Sequence, residues 1–490
     1  MDFLHAFIWF FSLQEVQIVC AILGIFAISV ALYLRTFVLT DADRDLHSYA
    51  CRYPQDKNKA KVVDYYDVAI VGAGPAGATC GYYLGRDGVN CLLLEKKKFP
   101  RDKYCGDAVC KTGIEILQDM GVYDELLKQS KARVADSGGL CSPSGLSYIG
   151  RSKEHLGEIP AAIACKRIHL DNAIAMAAKR AGANLQENCP VEEVVFDEAT
   201  GLWTISIEGS GKSYKSRLLV CADGAPSRLA TKLGMVSRPP DGSCSRAYVP
   251  PDCHQFDADG VIFYNRDLLP GYSALFRHAD GDLNYCVYLI PGNPKIDMDK
   301  DLPHWHSRLM KEDANISRAL SNPDQIERMK AASLRLGGER YTYGDHVIVI
   351  GDAAGMIDPM TGEGIHHAMQ SGKMASKFLQ ETIEVGNYGE HVMAHFQDRW
   401  MAKFGSDFAW SWAICKLLYH FPILLDAATA AVARKGDKFL AKWADIMTGR
   451  VPKIHLLKPE FVIVITAELF ILIWKKLTGQ PLKKNAKKKN

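Results

Sequence analysis

The stretch Tyr66-Asp67-Val68-Ala69-Ile70-Val71-Gly72-Ala73-Gly74-Pro75-Ala76-Gly77 decides how the rest of the chain is read. Its first six residues suit a short apolar strand, and the glycines follow at once. A helical pattern then runs to Asp87 and closes on Gly88, a residue suited to a left-handed cap. Asn90 to Leu94 reads as a second buried strand ending at Glu95. Together these form a βαβ unit of about thirty residues, the context that gives a GxGxxG pattern its meaning. Gly72 permits the tight turn, Gly74 lets backbone approach a pyrophosphate, and Gly77 allows helix and strand to pack closely. The helix start offers free N–H groups and a positive dipole end to that anion. Glu95 can accept both hydroxyls of a ribose and would repel a 2′-phosphate. The unit therefore calls for a dinucleotide with a free 2′-hydroxyl.

Outward from this unit, 490 residues exceed a single core, and roughly three units are expected. Hydrophobic residues at 48% and charged residues at 23% are ordinary for a globular protein. A net charge of +3 gives no electrostatic case for nucleic-acid binding. The excess is local, since Lys475 to Asn490 holds seven lysines and no acid. The 14 cysteines are scattered and form no CxxC. Cys105 and Cys110 lack a second pair that would close a zinc tetrahedron, so no metal site is read. Reduced thiols facing the cytosol are expected.

Farther along, Ile168 to Ala181 has a helical register, and Val191 to Val195 reads as strand. Leu218 to Cys221 is a strand ending in Ala222-Asp223-Gly224, and Val347 to Ile350 ends in Gly351-Asp352-Ala353-Ala354-Gly355. Thr361-Gly362-Glu363-Gly364 opens a helix. Gly260–Tyr264, Tyr272–Arg277 and Tyr285–Leu289 read as antiparallel strands.

In this order, GAGPAG with Glu95, ADG, GDAAG and GEG resemble flavoproteins of the para-hydroxybenzoate hydroxylase fold. Phe99-Pro100-Arg101-Asp102-Lys103-Tyr104-Cys105-Gly106-Asp107 and GDAAGMIDPMTGEGI look most like the geranylgeranyl reductase family. The resemblance spans about residues 65 to 450. It implies an α/β fold in which an FAD-binding Rossmann-type domain is interleaved with an antiparallel substrate sheet, followed by C-terminal helices. It also implies that Gly72, Gly74 and Gly77 hold the FAD pyrophosphate and Glu95 the adenosine ribose. Arg167 would face the cofactor, Asp352 with Gly351 would meet the ribityl chain, and Asp223-Gly224 would serve the cofactor region. Gly362 to Gly364 would set a helix start against the flavin pyrimidine edge. Cys105-Gly106 would lie beside the flavin, with Cys105 a candidate proton source or substrate-positioning group. Tyr272 and Phe276 match part of the family's substrate pattern, whose Trp is missing here. NADPH is the donor implied.

Two apolar segments point to a membrane. Val16 to Leu34 carries no charge, and at 1.5 Å per residue spans about 28 Å. Arg35 and Arg44 follow it, which places the N-terminus in the lumen and the remainder in the cytosol. Phe461 to Trp474 is shorter and holds Glu468, so it is expected to lie at the interface with Lys475 and Lys476 among the headgroups. Lys487 and Lys488 resemble a dilysine retrieval signal of endoplasmic-reticulum membrane proteins.

The expected organisation is an anchor over 1–38, a linker over 39–64, FAD-binding parts at 65–236 and 339–390, and a substrate sheet at 237–338. A helical region over 391–455 and an interfacial helix with a lysine tail over 456–490 complete it. The aromatics Trp400, Phe404, Phe408, Trp410 and Trp412 could roof a lipid tunnel or simply pack. The leading expectation is an FAD reductase of isoprenoid double bonds at the endoplasmic-reticulum membrane, its catalytic part facing the cytosol. The rivals are a lipid monooxygenase such as a squalene epoxidase, and a non-catalytic flavin-binding membrane protein.

Overall fold

The computed structural model describes residues 64–480 apart from 152–159, 237 and 299. The expected anchor, the linker up to residue 63 and the lysine tail from 481 lie outside these residues.

The strand Asp64–Val71 lies inside an eight-stranded sheet. Val68, Ala69 and Ile70 are fully buried, as a parallel strand covered on both faces requires. It pairs in parallel with Cys91–Leu94 on one side and Ser213–Cys221 on the other. Asn184–Gln186 extends the first flank and Val347–Val349 the second, again in parallel. A hairpin of Val191–Asp197 and Leu202–Ile207 is attached antiparallel to Ser213–Cys221. The chain thus leaves the central strand toward both flanks, and ligands bind beyond the carboxyl ends at such a switch point. Gly72, Glu95, Ala222-Asp223-Gly224 and Gly351-Asp352 all begin where these parallel strands end. Topology alone gathers the first three of the four motifs, and the turn before the helix Ile365–Val385 brings the fourth.

The helix Pro75–Arg86 starts from Gly74 with proline in its first turn. The long helix Ile365–Val385 lies against it. Gly372 permits the approach, because a methyl there would stand 2.3 Å from the Ala76 carbonyl oxygen.

The second layer is a seven-stranded sheet ordered Lys330–Leu334, Gly242–Val249, Leu283–Leu289, Tyr272–Arg277, Gly260–Phe263, Ser137–Cys141, Ser147–Arg151. Its last two strands come from within the segment expected to be purely nucleotide-binding. The boundary at 237 is therefore too simple, and the substrate layer draws on both sides of it. Gly260–Phe263 pairs with Ser137–Cys141 in parallel, and that pairing stitches the two parts together.

Beyond Gly389 the chain is helical to Leu477 with short interruptions. Trp400, Phe404 and Phe408 are buried in the same core as the nucleotide sheet and do not roof a tunnel. In the last helix, Pro459–Leu477, one face is buried at Phe461, Glu468 and Leu472, with Glu468 ion-paired to Arg434. The other face exposes Ile463 at 66%, Trp474 at 61% and Leu477 at 64%. Among the described residues, no single helix is long and apolar enough to cross a membrane. Glu390–His420 and Ile423–Lys435 could do so by length and composition as a pair bent by 105°.

Candidate functional site

The floor of the site is built by what the glycines lack. Gly72 has a φ of +104°, and a methyl on it would lie 2.3 Å from the Ala222 carbonyl oxygen. At Gly77 a methyl would be 1.9 Å from the Gly72 oxygen. Gly74 differs, since nothing there comes nearer than Arg101 Nη2 at 3.8 Å. Backbone at the helix start therefore faces open space of the kind a pyrophosphate fills.

Glu95 is buried beside this turn. Its carboxylate accepts from the Ala73 and Lys97 amides at 3.3 and 3.1 Å, and pairs with Arg101 at 3.2 Å. Arg101 also pairs with Asp171, which Arg167 grips twice, at 2.6 and 2.9 Å. Burial works to raise the Asp171 carboxyl, but the two guanidinium charges outweigh it and hold the group below its ordinary value. Sequence reading named Arg167 but missed Asp171, one helical turn ahead. The i,i+4 spacing of an acid and a base was the available signal.

On the opposite wall, Gly351 has a φ of +63° and abuts Ala76. Asp352 accepts from Lys103 Nζ at 2.7 Å. Burial opposes its ionisation, yet the charges of Lys103 and Arg167 keep it low. Gly362 turns with a φ of +65° where a methyl would strike the Tyr288 ring at 2.9 Å. Gly364 caps the helix Ile365–Val385 and sits beside Asp352. Tyr272 donates its hydroxyl hydrogen bond to the Thr361 carbonyl, so the substrate sheet is tied to this turn.

The segment carrying Cys105 and Gly106 is held between the layers. Asp107 accepts from the Tyr248 hydroxyl at 2.6 Å and from Asn284 Nδ2 at 2.9 Å, while Asn284 also donates to the Cys105 carbonyl at 2.8 Å. A methyl on Gly106 would meet Cys286 Sγ at 3.6 Å and the Phe276 ring at 3.7 Å. Tyr248 and Asn284 were missed because they pin a distant loop, a contact with no local pattern. Asp223 borders the cavity, as expected of a residue serving the cofactor region, and it also holds its own turn together. Its two oxygens accept from Ser227 Oγ at 2.6 Å and the Leu229 amide at 3.1 Å, capping the short helix Arg228–Lys232. Gly224, with a φ of +76°, faces open space.

Gly72, Gly74, Glu95, Arg167, Asp352 and Gly362 border one cavity of about 2860 Å³. Usual ligand pockets hold roughly 300–1,000 Å³, so a dinucleotide leaves room for a second, long ligand. Cys105, Cys244, Cys286, Tyr272 and Phe276 line the same space as Gly74 and Glu95. Its far wall comes from 433–448, where Leu440, Trp443 and Met447 stand among Arg434, Lys435 and Lys438. The roof is thus supplied beyond the aromatic cluster that the sequence suggested. An open cradle at Gly74, a buried carboxylate at Glu95 and a helix start at Gly364 together fit FAD.

A family model described as FAD binding domain matches residues 65–386. Conditioned medium factor receptor 1 of Dictyostelium discoideum is 49% identical over 416 residues, covering 83% of this chain and 81% of that protein. A digeranylgeranylglycerophospholipid reductase 2 of Methanopyrus kandleri is 25% identical, covering 72% and 86%. The solved structure of a geranylgeranyl bacteriochlorophyll reductase-like protein from Thermoplasma acidophilum matches with a TM-score of 0.60 at 20% identity, covering 85% and 99%. That last likeness is one of fold.

Proposed function

Because the chain belongs to the FAD-binding domain family and is an FAD-dependent oxidoreductase, we propose that it saturates carbon–carbon double bonds of an isoprenoid lipid. NADPH is the proposed electron donor. The observation that carries this reading is the continuity of one cavity, from the nucleotide turns past Tyr272 and Phe276 to the apolar side chains of Leu440, Trp443 and Met447 on a wall that also carries basic ones. The relatives named as digeranylgeranylglycerophospholipid reductases support it.

When bound, FAD supplies the hydride. The chain's residues do the rest. Gly74 and the following helix start would hold the pyrophosphate, and Glu95 would hold the ribose. The helix start at Gly364 would offer its positive end to the cofactor ring. An isolated alkene is a poor hydride acceptor, so it must be held close and kept dry. Tyr272, Phe276 and Cys286 form the surface that does this, with Cys105 setting the position of the double bond. The lipid would enter from an endoplasmic-reticulum membrane, on whose cytosolic side the exposed face of Pro459–Leu477 rests with Lys475 and Lys476 at the headgroups.

The test is anaerobic incubation of the FAD-loaded protein with NADPH and a prenyl lipid, followed by mass spectrometry. Gain of two hydrogens per turnover without oxygen is expected. Turnover that stops without oxygen would instead make the protein a monooxygenase. A second reading, a flavin-stabilised binding protein, draws on the relative named as a receptor. It would prevail if NADPH failed to bleach the flavin.

A further inference from the structure

Saturating a double bond takes two electrons and two protons. One proton travels with the electrons as hydride, and the other must come from a group that can release and regain it. Glu363 is placed for that task. Its side chain lines the cavity between Gly362 and Gly364 and is 28% exposed. Its Oε2 is buried without a hydrogen-bond partner.

Behind it stands His366, 3% exposed, with Nδ1 3.5 Å from that oxygen. The thiol of Cys110 completes a group whose donor atoms all lie within 4.8 Å of one another. The far nitrogen of His366, Nε2, is likewise buried and unpartnered. It shares a gap beside Gly449, where a methyl would stand 3.8 Å from Asp407 Oδ2 and 3.9 Å from Nε2 of both His366 and His367. Asp407 is 16% exposed, so this end of the row reaches solvent.

The charges around the row are fixed. Lys453 and Asp358 form a buried pair at 2.6 Å, and Ser411 also donates to Asp358. Glu363 is faced by Asp358 and Lys453 from behind, by Cys110 from the neighbouring helix start, and by Tyr272 from the substrate sheet. Lys403 and Asp358 face His367. Burial, and then Asp358, push the Glu363 carboxyl up to about 7, with Lys453 acting the other way. Burial lowers both histidines and keeps them neutral.

We propose that Glu363 is the proton-exchanging residue of this site, and that His366 is the positioning residue that returns its proton from the Asp407 side. In each turnover a reduced nicotinamide provides two electrons and one hydrogen through FAD. Glu363 gives its carboxyl proton to the second carbon and is left a carboxylate. His366 then takes a proton at Nε2 and releases one from Nδ1, as an imidazole can, restoring the acid, and exchange of its ring proton with water returns the Nδ1–H tautomer before the next turnover. The acceptor's identity rests on the reductase reading, whereas the exchange belongs to the protein.

The experiment is an anaerobic redox titration of the FAD-loaded protein across the neutral pH range, with no lipid present. In the unaltered protein the slope of midpoint potential against pH is expected to change near pH 7. Glu363→Gln should remove that break, and Cys105→Ser should leave it in place. An infrared difference spectrum of the unaltered protein guards against loss of FAD in the variant. It should show a protonated carboxyl band titrating over the same range, shifted in Glu363→Asp. The proposal is overturned if the break survives Glu363→Gln, if no such band titrates, or if the purified protein carries a divalent cation that Glu363→Gln loses. Failure here leaves lipid reduction standing, since the lipid assay is separate.

Discussion

Two walls of the same cavity are enforced by different physics. At the nucleotide turns the constraint is shape, because methyl groups on Gly72 and Gly77 would lie 2.3 and 1.9 Å from backbone oxygens. Behind Gly362 to Gly364 the constraint is charge, because Lys453 and Asp358 are both 1% exposed and hold each other at 2.6 Å. A shape-built wall should tolerate changes of pH but not a carbon atom. A charge-built wall should do the reverse.

The largest effect is expected from Gly77→Ala. Backbone would have to yield more than 1 Å to bring that 1.9 Å contact to 3.0 Å, so the loss should exceed about 4 kcal/mol and leave little folded protein. Solubility and urea denaturation would check it, and a folded Gly77→Ala protein would mean the turn is looser than drawn. Next comes Lys453→Met, which strands a buried carboxylate and should cost about 3–5 kcal/mol in urea denaturation. Adding Asp358→Asn should recover part of that loss. If Lys453→Met were harmless, charge would not be what holds this wall.

The shape-built wall was readable in the sequence because its parts are local. Strand, glycine turn, helix and Glu95 fall within one short run, and each residue's task follows from its neighbours. The charge-built wall was not readable. Glu363 sat inside a recognised motif, but Cys110 and Lys453, which face it, arrive from two distant segments. The aromatics Trp400, Phe404 and Phe408 carry a helical period that core and tunnel share, so only packing could choose between them. Ser137 to Arg151 is too rich in glycine and serine to announce two strands of the substrate sheet.

Opposed pH slopes give a third and smaller test. His306, buried on the helix Leu302–Glu312 against Ser245 of the substrate sheet, and His367 are held by burial at about 4, against an ordinary 6.5. Their neutral forms contribute stability that is present above pH 6.5 and lost as pH falls toward 4. Each shift corresponds to about 3 kcal/mol at most. Glu363, raised to about 7 from an ordinary 4.5, contributes stability below pH 4.5 that is lost as pH rises through 7. Urea midpoints should therefore rise from pH 4 to 6.5, and more steeply in Glu363→Gln, where the opposing slope is gone. An unchanged profile would place the carboxyl in ordinary solvent.

Gly74→Ala is expected to leave the fold within about 1 kcal/mol, since nothing of the protein stands nearer than 3.8 Å. FAD affinity should fall at least tenfold, about 1.4 kcal/mol, because the methyl occupies space the pyrophosphate needs. Flavin fluorescence would measure it.

Gly224→Ala should disturb cofactor binding least, and it separates conformation from contact. Gly224 shares a positive φ with Gly72, and both follow strands of the same sheet. A methyl on Gly72 collides with Ala222, whereas one on Gly224 meets nothing within 4 Å. What remains at Gly224 is the left-handed backbone itself, a strain of about 1–2 kcal/mol for a residue with a side chain. Thermal unfolding should therefore shift by only a few degrees. Asp223 keeps its cap through Ser227 and Leu229, so the neighbouring helix has no reason to melt. If FAD binding also stays within a few-fold, Gly224 serves the turn alone. A tenfold loss with the fold intact would show that the open space beside it is filled by the cofactor, and would give the Asp223-Gly224 turn the binding role expected of it.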